Sequence, residues 1–408
     1  MAKAWASTPG SLDRFIESGK DAPVTKTILV VDTVYPRALA ALLRRDPEAP
    51  QSYLGVRRQL LDAKFGMSDI YEDFFKKCGW DCTTVIANSD VLQCLWAEEN
   101  LSKWMVRASN ARRSALRRVP LVRNRDLSRP FLKKILVEQI AAIKPDVLFC
   151  FDLSTISEEV SRVARKAGSL IVGQTNSALP TDQTLQQFDF LISSLPFFTA
   201  HFEKLRIPSL MLDLGFDDRV TTRAAVASRD IRVSFVGGLT RLHQRTELLD
   251  AILEVESSAA FFGYVEDEID LPLRVRSRHF GERWGIDAYD VLCSSAVTIN
   301  EHGIVDPDLR FGGSRVAANM RLFEATGCGA LLVTDHLPRI EDFFEVGSEV
   351  LTYRSLGELK DCLRWATANP SEARTMARRA QERTLREHTY SVRLEVLNDH
   401  LEAALASR

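Results

Sequence analysis

The sequence predicts an α/β protein built from two Rossmann-like, doubly wound domains that face each other across a cleft. Short β-branched runs alternate with segments of helical spacing in both halves of the chain. That alternation weakens once, around residues 212–230. The length, 408 residues, suits two domains of roughly 100–200 residues each.

The first element is Thr27-Ile-Leu-Val-Val-Asp32, a short apolar run ending in a polar residue, which reads as a parallel strand buried on both faces. A long helical region follows, to about Lys77. Strands are expected at Cys82–Ala87, Pro145–Phe151, Leu170–Gly173 and Phe188–Ser193, and helices at Lys133–Ile143 and Ile156–Ala167. Leu214–Asp218 reads as a turn, and the polar segment after it as irregular. The second alternation opens with the strand Ile231–Val236 and a glycine pair. Strands at Ala260–Gly263, Ser295–Asn300 and Ala330–Thr334 follow, with helices at Arg245–Val255, Asn319–Ala325, Leu356–Ala368, Ser371–His388 and Ser391–Leu405. The expected divisions are a loosely ordered 1–23, a first domain 24–215, a linker 216–230, a second domain 231–390 and a C-terminal helix 391–408.

Composition narrows the function classes. Apolar residues make up 45% and charged residues 26%, enough for an ordinary core. A net charge of −2 argues against a dedicated nucleic-acid binder. The seven cysteines are odd in number and scattered, which suits reduced thiols in a cytoplasmic protein. Cys78, Cys82 and Cys94 lack a fourth ligand nearby and read as buried thiols rather than a zinc site. Residues 1–23 show no apolar run of signal-peptide type, and no stretch reaches the ~18 apolar residues of a membrane span. Between Lys103 and Lys134 the chain is strongly basic, with Asp126 the only acid. That segment is either a solvated face or a surface for an anionic partner, such as the inner face of a membrane carrying a lipid-linked acceptor.

Four segments carry chemistry. Asn319-Met-Arg-Leu-Phe-Glu-Ala-Thr-Gly-Cys-Gly-Ala-Leu-Leu-Val-Thr-Asp335 is a helix containing Glu324, ended by Gly327 and Gly329 and followed by a buried strand. Ligands of doubly wound folds bind at strand carboxyl ends, where glycines free backbone amides and a carboxylate can accept ribose hydroxyls. Phe235-Val-Gly-Gly-Leu-Thr-Arg-Leu-His-Gln-Arg245 places Gly237 and Gly238 before a basic loop, whose Arg241 or Arg245 can clamp a diphosphate. Thr298-Ile-Asn-Glu-His-Gly303 runs from a strand into a polar loop bearing Asn300, Glu301 and His302. In the first half, Asp32, Thr33 and Asp152 stand at strand ends; Asp152 is either an acceptor base or a cap for the segment after it. Asp306-Pro-Asp308 has a metal-binding form but reads as a turn, and no metal is expected.

The run Phe323-Glu-Ala-x-Gly-x-Gly-Ala-Leu-Leu-x-Thr-Asp335 resembles the nucleotide-sugar motif of GT-B glycosyltransferases, above all the CgeB-type branch related to the family-4 enzymes. Phe343-Phe-Glu-Val-Gly-Ser-Glu-Val-Leu-Thr-Tyr353, Asn369-Pro370 and His388-Thr389 extend the resemblance over about 231–400; it is faint over 24–215. It implies a glycosyltransferase that moves a sugar from a nucleotide donor to a glycan, lipid-linked or protein acceptor, without a cofactor. Glu324 would then hold the donor ribose, with Asn319 and Arg321 beside it. Many retaining relatives carry a second glutamate eight positions earlier; Val316 stands there, so Glu301 and Asp306 are the candidates for that acid and the stereochemical outcome stays open. A nucleotide-sugar epimerase and a non-catalytic nucleotide-sugar-binding protein are the other readings.

Overall fold

The computed structural model describes residues 25–45, 52–101, 106–107, 129–226, 228–267, 269–305 and 310–408. Two all-parallel sheets organise them. The first contains β1 (Thr27–Asp32), β2 (Asp81–Ile86), β3 (Val147–Cys150), β4 (Leu170–Gln174), β5 (Phe190–Ser193) and β6 (Ser209–Met211), in the order β2-β1-β3-β4-β5-β6. The second contains β7 (Ile231–Val236), β8 (Ala260–Phe262), β9 (Ser295–Asn300), β10 (Leu331–Asp335) and β11 (Leu351–Tyr353), in the order β11-β10-β9-β7-β8.

The period of two along β1 shows why these strands are apolar throughout. Leu29 and Val31 face a layer containing Leu136, Ile140, Val160 and Phe198, while Ile28 and Val30 face Tyr71, Phe75, Leu394 and Leu397 on the other side. Leu394 and Leu397 belong to the C-terminal helix Tyr390–Ala406, so the end of the chain covers the first sheet. Trp80 Nε1 donates to Asn398 Oδ1 at 3.0 Å, and Lys26 pairs with Glu402 on the same helix.

The chain passes between the domains twice, at neighbouring points. Phe216 N donates to His388 O at 2.8 Å, and Tyr390 N donates to Phe216 O at 2.9 Å. Phe216 itself is fully buried in the second domain, against Tyr289 and beside Phe323. A further backbone bond, Ile286 N to Ala63 O at 2.8 Å, ties the domains on the far side. Arg339 adds a two-pronged pair to Asp213 at 2.9 and 3.0 Å.

Several expectations need correction. The segment after Asp217 is ordered as a 3-10 turn, Asp218–Val220, and a helix, Thr221–Val226. The long helical region divides into Pro36–Arg44, Tyr53–Asp62 and Ile70–Lys77. The strands β6 and β11 and the helices Asp90–Asn100, Pro196–Lys204 and Ile286–Cys293 were not anticipated. Cys78 is exposed at a helix end instead of buried. The 1–23 segment and most of 103–134 lie outside the described residues; within the latter, Lys133 pairs with Glu159 at 3.2 Å. Among the described residues no helix is long and apolar enough to cross a membrane.

Gly327 closes the helix Met320–Gly327 under the Phe216 ring, and a Cβ there would lie 2.5 Å from Phe216 Cγ. Gly327→Ala must displace a fully buried aromatic ring. We expect a loss of about 1–3 kcal/mol in urea unfolding. An unchanged midpoint would show that the ring has room to move.

Candidate functional site

In both sheets the strand order reverses at the first strand: between β1 and β3 in one, and between β7 and β9 in the other. Successive crossovers leave such a pair on opposite sides and open a crevice at the carboxyl ends. The two crevices line a single cleft of about 780 Å³, the size of a small-molecule site.

On the first-domain wall, Asp32 ends β1 and Asp152 follows β3. Asp32 Oδ1 accepts from Thr33 N at 2.7 Å. Asp152 is more heavily engaged: Oδ1 accepts from Ser154 N at 3.0 Å and Ser154 Oγ at 2.6 Å, and Oδ2 accepts from Thr33 Oγ1 at 3.2 Å. It therefore caps the short 3-10 helix Leu153–Thr155 while facing the cleft. Burial, with the nearby Asp152 charge adding to it and the Thr33 amide opposing it, pushes the Asp32 carboxyl up to about 7.

On the second-domain wall, Arg245 joins the two loops at the reversal. Its guanidinium donates to Gly238 O at 3.0 Å and to Glu301 O at 2.6 Å, and its Nε lies 3.4 Å from Glu301 Oε2. Burial raises the Glu301 carboxyl and outweighs the opposing Arg245 charge. Gly237 and Gly238 lack side chains for packing reasons: a Cβ on Gly238 would come within 2.6 Å of the Tyr264 ring. Tyr264 stacks on Trp284 with centroids 6.1 Å apart, and Phe65 meets Trp284 edge-on at 5.4 Å. With Tyr35, these rings make an aromatic wall contributed by both domains.

Neighbouring positions on β9 and β10 bring Asn300 and Thr334 together, and Asn300 Nδ2 donates to Thr334 Oγ1 at 2.9 Å. Asn319, at the start of the helix Met320–Gly327, donates to Asn300 Oδ1 at 2.9 Å. One turn on, Arg321 pairs with Glu324 at 2.7 Å, both largely buried at the cleft. His302 Nδ1 lies 2.6 Å from Asp335 Oδ1. Arg315 donates to Asp335 Oδ2 at 3.1 Å and to His302 O at 2.7 Å. Burial acts to raise the Asp335 carboxyl, but the His302 hydrogen bond and charge and the Arg315 charge outweigh it and hold it below the usual range.

The structure thus brings Asp152, Gly237, Gly238, Arg245, Asn300 and Glu301 to one cleft, together with His302, Asn319, Arg321 and Glu324. It leaves out Arg241 and Gly327. Arg241 is an exposed loop residue whose backbone N donates to Glu266 Oε2 at 2.8 Å. Gly327 lies against Phe216, away from the cleft lining, so its missing side chain serves packing. Asp306 and Asp308 fall outside the described residues. Sequence reasoning assigned no role to Asp335, Tyr264, Trp284 or His243. An acid ending a buried strand, the signal that singled out Asp32, was also present at Asp335. Among the described residues no group of three or more His, Cys, Asp or Glu could hold a metal ion.

Residues 230–399 match the model of a family described as glycosyl transferase-like. No curated protein matches the chain. Solved structures do. A glycosyltransferase from Rickettsia africae aligns with a TM-score of 0.59 at 11% identity, over 94% of this chain and 99% of that one. Sucrose-phosphate synthase from Thermosynechococcus elongatus aligns with a TM-score of 0.55 at 12% identity, over 93% and 100%. Alr3699/HepE of Anabaena, in complex with UDP, aligns with a TM-score of 0.53 at 11% identity, over 94% and 100%. At these identities the likeness establishes the architecture: a two-domain α/β fold of the GT-B type.

The raised Asp32 carboxyl has a consequence for stability. The folded state holds this proton more tightly than the unfolded chain does. The resulting stabilisation is fully present below about pH 4 and is lost as pH rises through about 7. Asp32→Asn removes the titration while keeping an acceptor for Thr33 N. Urea unfolding should give matching stabilities near pH 4 and a variant more stable by about 2–4 kcal/mol at pH 8. A gap that does not change with pH would contradict this.

Proposed function

We propose that the protein transfers a sugar from a nucleoside diphosphate donor to an acceptor hydroxyl. The observation that carries the reading is the second reversal point. A glycine pair, a buried arginine, a histidine and a fixed carboxylate converge there, within the stretch that matches glycosyl transferase-like domains. Arg245 and the Gly238 backbone N–H offset the charge that grows on the departing diphosphate. Glu324, held by Arg321, accepts from the ribose hydroxyls. The acceptor enters from the first-domain wall, where the Asp32–Asp152 pair takes its proton. Glu301 supplies the acidic group missing at Val316. The UDP in the Anabaena structure makes a uridine nucleotide the first donor to test.

The finer parts of the reading go with it. The donated group is a hexose, no catalytic metal takes part, and the sequence falls in the CgeB-type branch. The acceptor is a glycan, a lipid-linked sugar or a protein. The protein works in the cytoplasm, with the basic segment 103–134 meeting an anionic membrane surface.

The first experiment follows nucleoside diphosphate release from a panel of nucleotide sugars, with and without acceptors, in EDTA. Release that depends on acceptor supports transfer. An altered sugar formed without acceptor would instead indicate an epimerase, and binding without turnover a sensor. On the same preparation, Glu324→Gln should weaken donor binding by about 1.5–3 kcal/mol, from lost charge-assisted hydrogen bonds. Its melting temperature is measured on the same preparation, because the pair with Arg321 is largely buried and its weakening lowers stability in the absence of donor as well. A variant that binds donor normally removes Glu324 from the ribose site.

A further inference from the structure

The first sheet brings one row of unlike side chains to the cleft. Val30, Phe149 and Val172 are partners in register on β1, β3 and β4, and all three face the layer that contains Tyr71. Two residues further on, the same face carries Asp32, Phe151 and Gln174, which line the cleft where these strands end. A carboxylate, a phenyl ring and a carboxamide thus stand side by side across two strand spacings, about 10 Å. Tyr71 supports the row from behind. Its ring meets Phe151 edge-on at 4.8 Å, and its hydroxyl donates to Gln174 Oε1 at 2.5 Å. Phe151 is only half-buried and turns the rest of its ring to the cleft.

Just beyond the row, Asn176 is oriented by its neighbours. Its Oδ1 accepts from Ser194 N and Ser194 Oγ, both at 2.8 Å, and from Ser193 Oγ at 3.1 Å. A backbone N–H only donates, so the amide oxygen occupies this end and the NH2 group the other. Asn176 Nδ2 and Gln174 Nε2 have no partner among the described residues, and both keep surface in the cleft. Charge divides between the two walls. Arg245, Arg283, Arg315 and Arg321 line the cleft from the second domain. The first domain contributes Asp32 and Asp152. Among the described residues its one cation in the lining, Lys64, is taken by Asp69 at 2.7 Å.

A sugar ring matches this combination. Its faces are built of C–H groups, which pack on an aromatic ring, and its rim of hydroxyls needs both acceptors and donors. Here carboxylates accept and amide N–H groups donate. A phosphate or carboxylate on the ligand would meet Asp32 and Asp152 instead, and like charges repel. We propose that the acceptor is a neutral sugar, its ring lying against Phe151 and its hydroxyls shared among Asp32, Gln174 and Asn176. The wall selects against acceptors that carry an anionic group near the reactive hydroxyl. The inference rests on the sugar-transfer reading, commits its acceptor to one class and adds no covalent step. Gln174 and Asn176 bind acceptor hydroxyls and leave proton removal to the Asp32–Asp152 pair.

The test titrates sugars into the full-length protein, with and without UDP, and follows binding by saturation-transfer NMR. The probes are the methyl glycosides of glucose, galactose and mannose, each paired with its 6-phosphate and its uronic acid. At least one neutral sugar should bind, and its anionic counterparts should bind roughly tenfold more weakly. Asn176→Asp keeps the oxygen that Ser193 and Ser194 use and removes Nδ2; Gln174→Glu keeps the oxygen that Tyr71 uses and removes Nε2. Each should weaken the neutral sugar roughly tenfold while UDP affinity, measured by calorimetry, stays as in the parent. Damage to the fold as a whole would not produce that split. An anionic sugar that binds as well as its neutral counterpart, or a panel in which no neutral sugar binds, overturns the inference; UDP binding in the same samples then leaves the transfer reading standing. Unaltered sugar affinity in both variants also overturns it. Failure of UDP, GDP, ADP and dTDP alike to bind overturns the transfer reading and the inference with it. The sugar panel needs only the unaltered protein, so a variant that fails to fold does not block the outcome.

Discussion

The reversal of strand order in each sheet is the constraint on which the rest of this structure depends. A parallel strand pair joined through helices requires right-handed crossovers. When the chain fills one side of its first strand and then the other, the crossovers diverge and leave an unfilled crevice. Here this happens twice, at β1/β3 and at β7/β9, and the two crevices face each other. Arg245 secures the second by bonding to the carbonyls of both loops that border it. Its burial is tolerable because two carbonyls and one carboxylate surround it.

The interior strands were legible because both faces are buried and β-branched runs satisfy both at once. β7 and β9 coincide with the expected spans. The edge strands β6 and β11 were not: each has three residues that are mostly only half-buried, whereas the equally short edge strand β8, read correctly, is buried throughout. Phe216 shows a different limit. In sequence it is one aromatic residue in a weakly patterned stretch; in the fold it fills the second core and sets the need for glycine at Gly327, more than a hundred residues away. The same glycine read, in one dimension, as room for a ligand.

The cleft was legible where a polar residue ends a buried strand, as at Asp32, Asn300 and Asp152. Such positions point to the crevice whatever the details of packing. What sequence alone could not supply is pairing across strands. His302 and Asp335 lie far apart in the chain and meet only because β9 and β10 are neighbours in register. The aromatic wall is hidden for the same reason: its four rings come from four separate segments of two domains.

The side-by-side passage of the chain at Phe216 and Thr389 has a mechanical meaning. Two backbone crossings joined by a pair of hydrogen bonds form a narrow strap, and two bodies joined by a strap rotate about it more readily than they slide. On the other side the domains meet through the backbone bond from Ile286 N to Ala63 O and the Phe65–Trp284 ring contact, flanked by the exposed ion pairs of Arg37 with Asp267 and Arg45 with Asp287, each worth little in water. The domains are therefore joined by two passages of the chain at one margin and by side-chain and single backbone contacts at the other. Any rotation about the strap would part Tyr35 from Trp284, which the two domains carry separately, and would leave Arg245 and His302, both carried by the second domain, in the same mutual geometry.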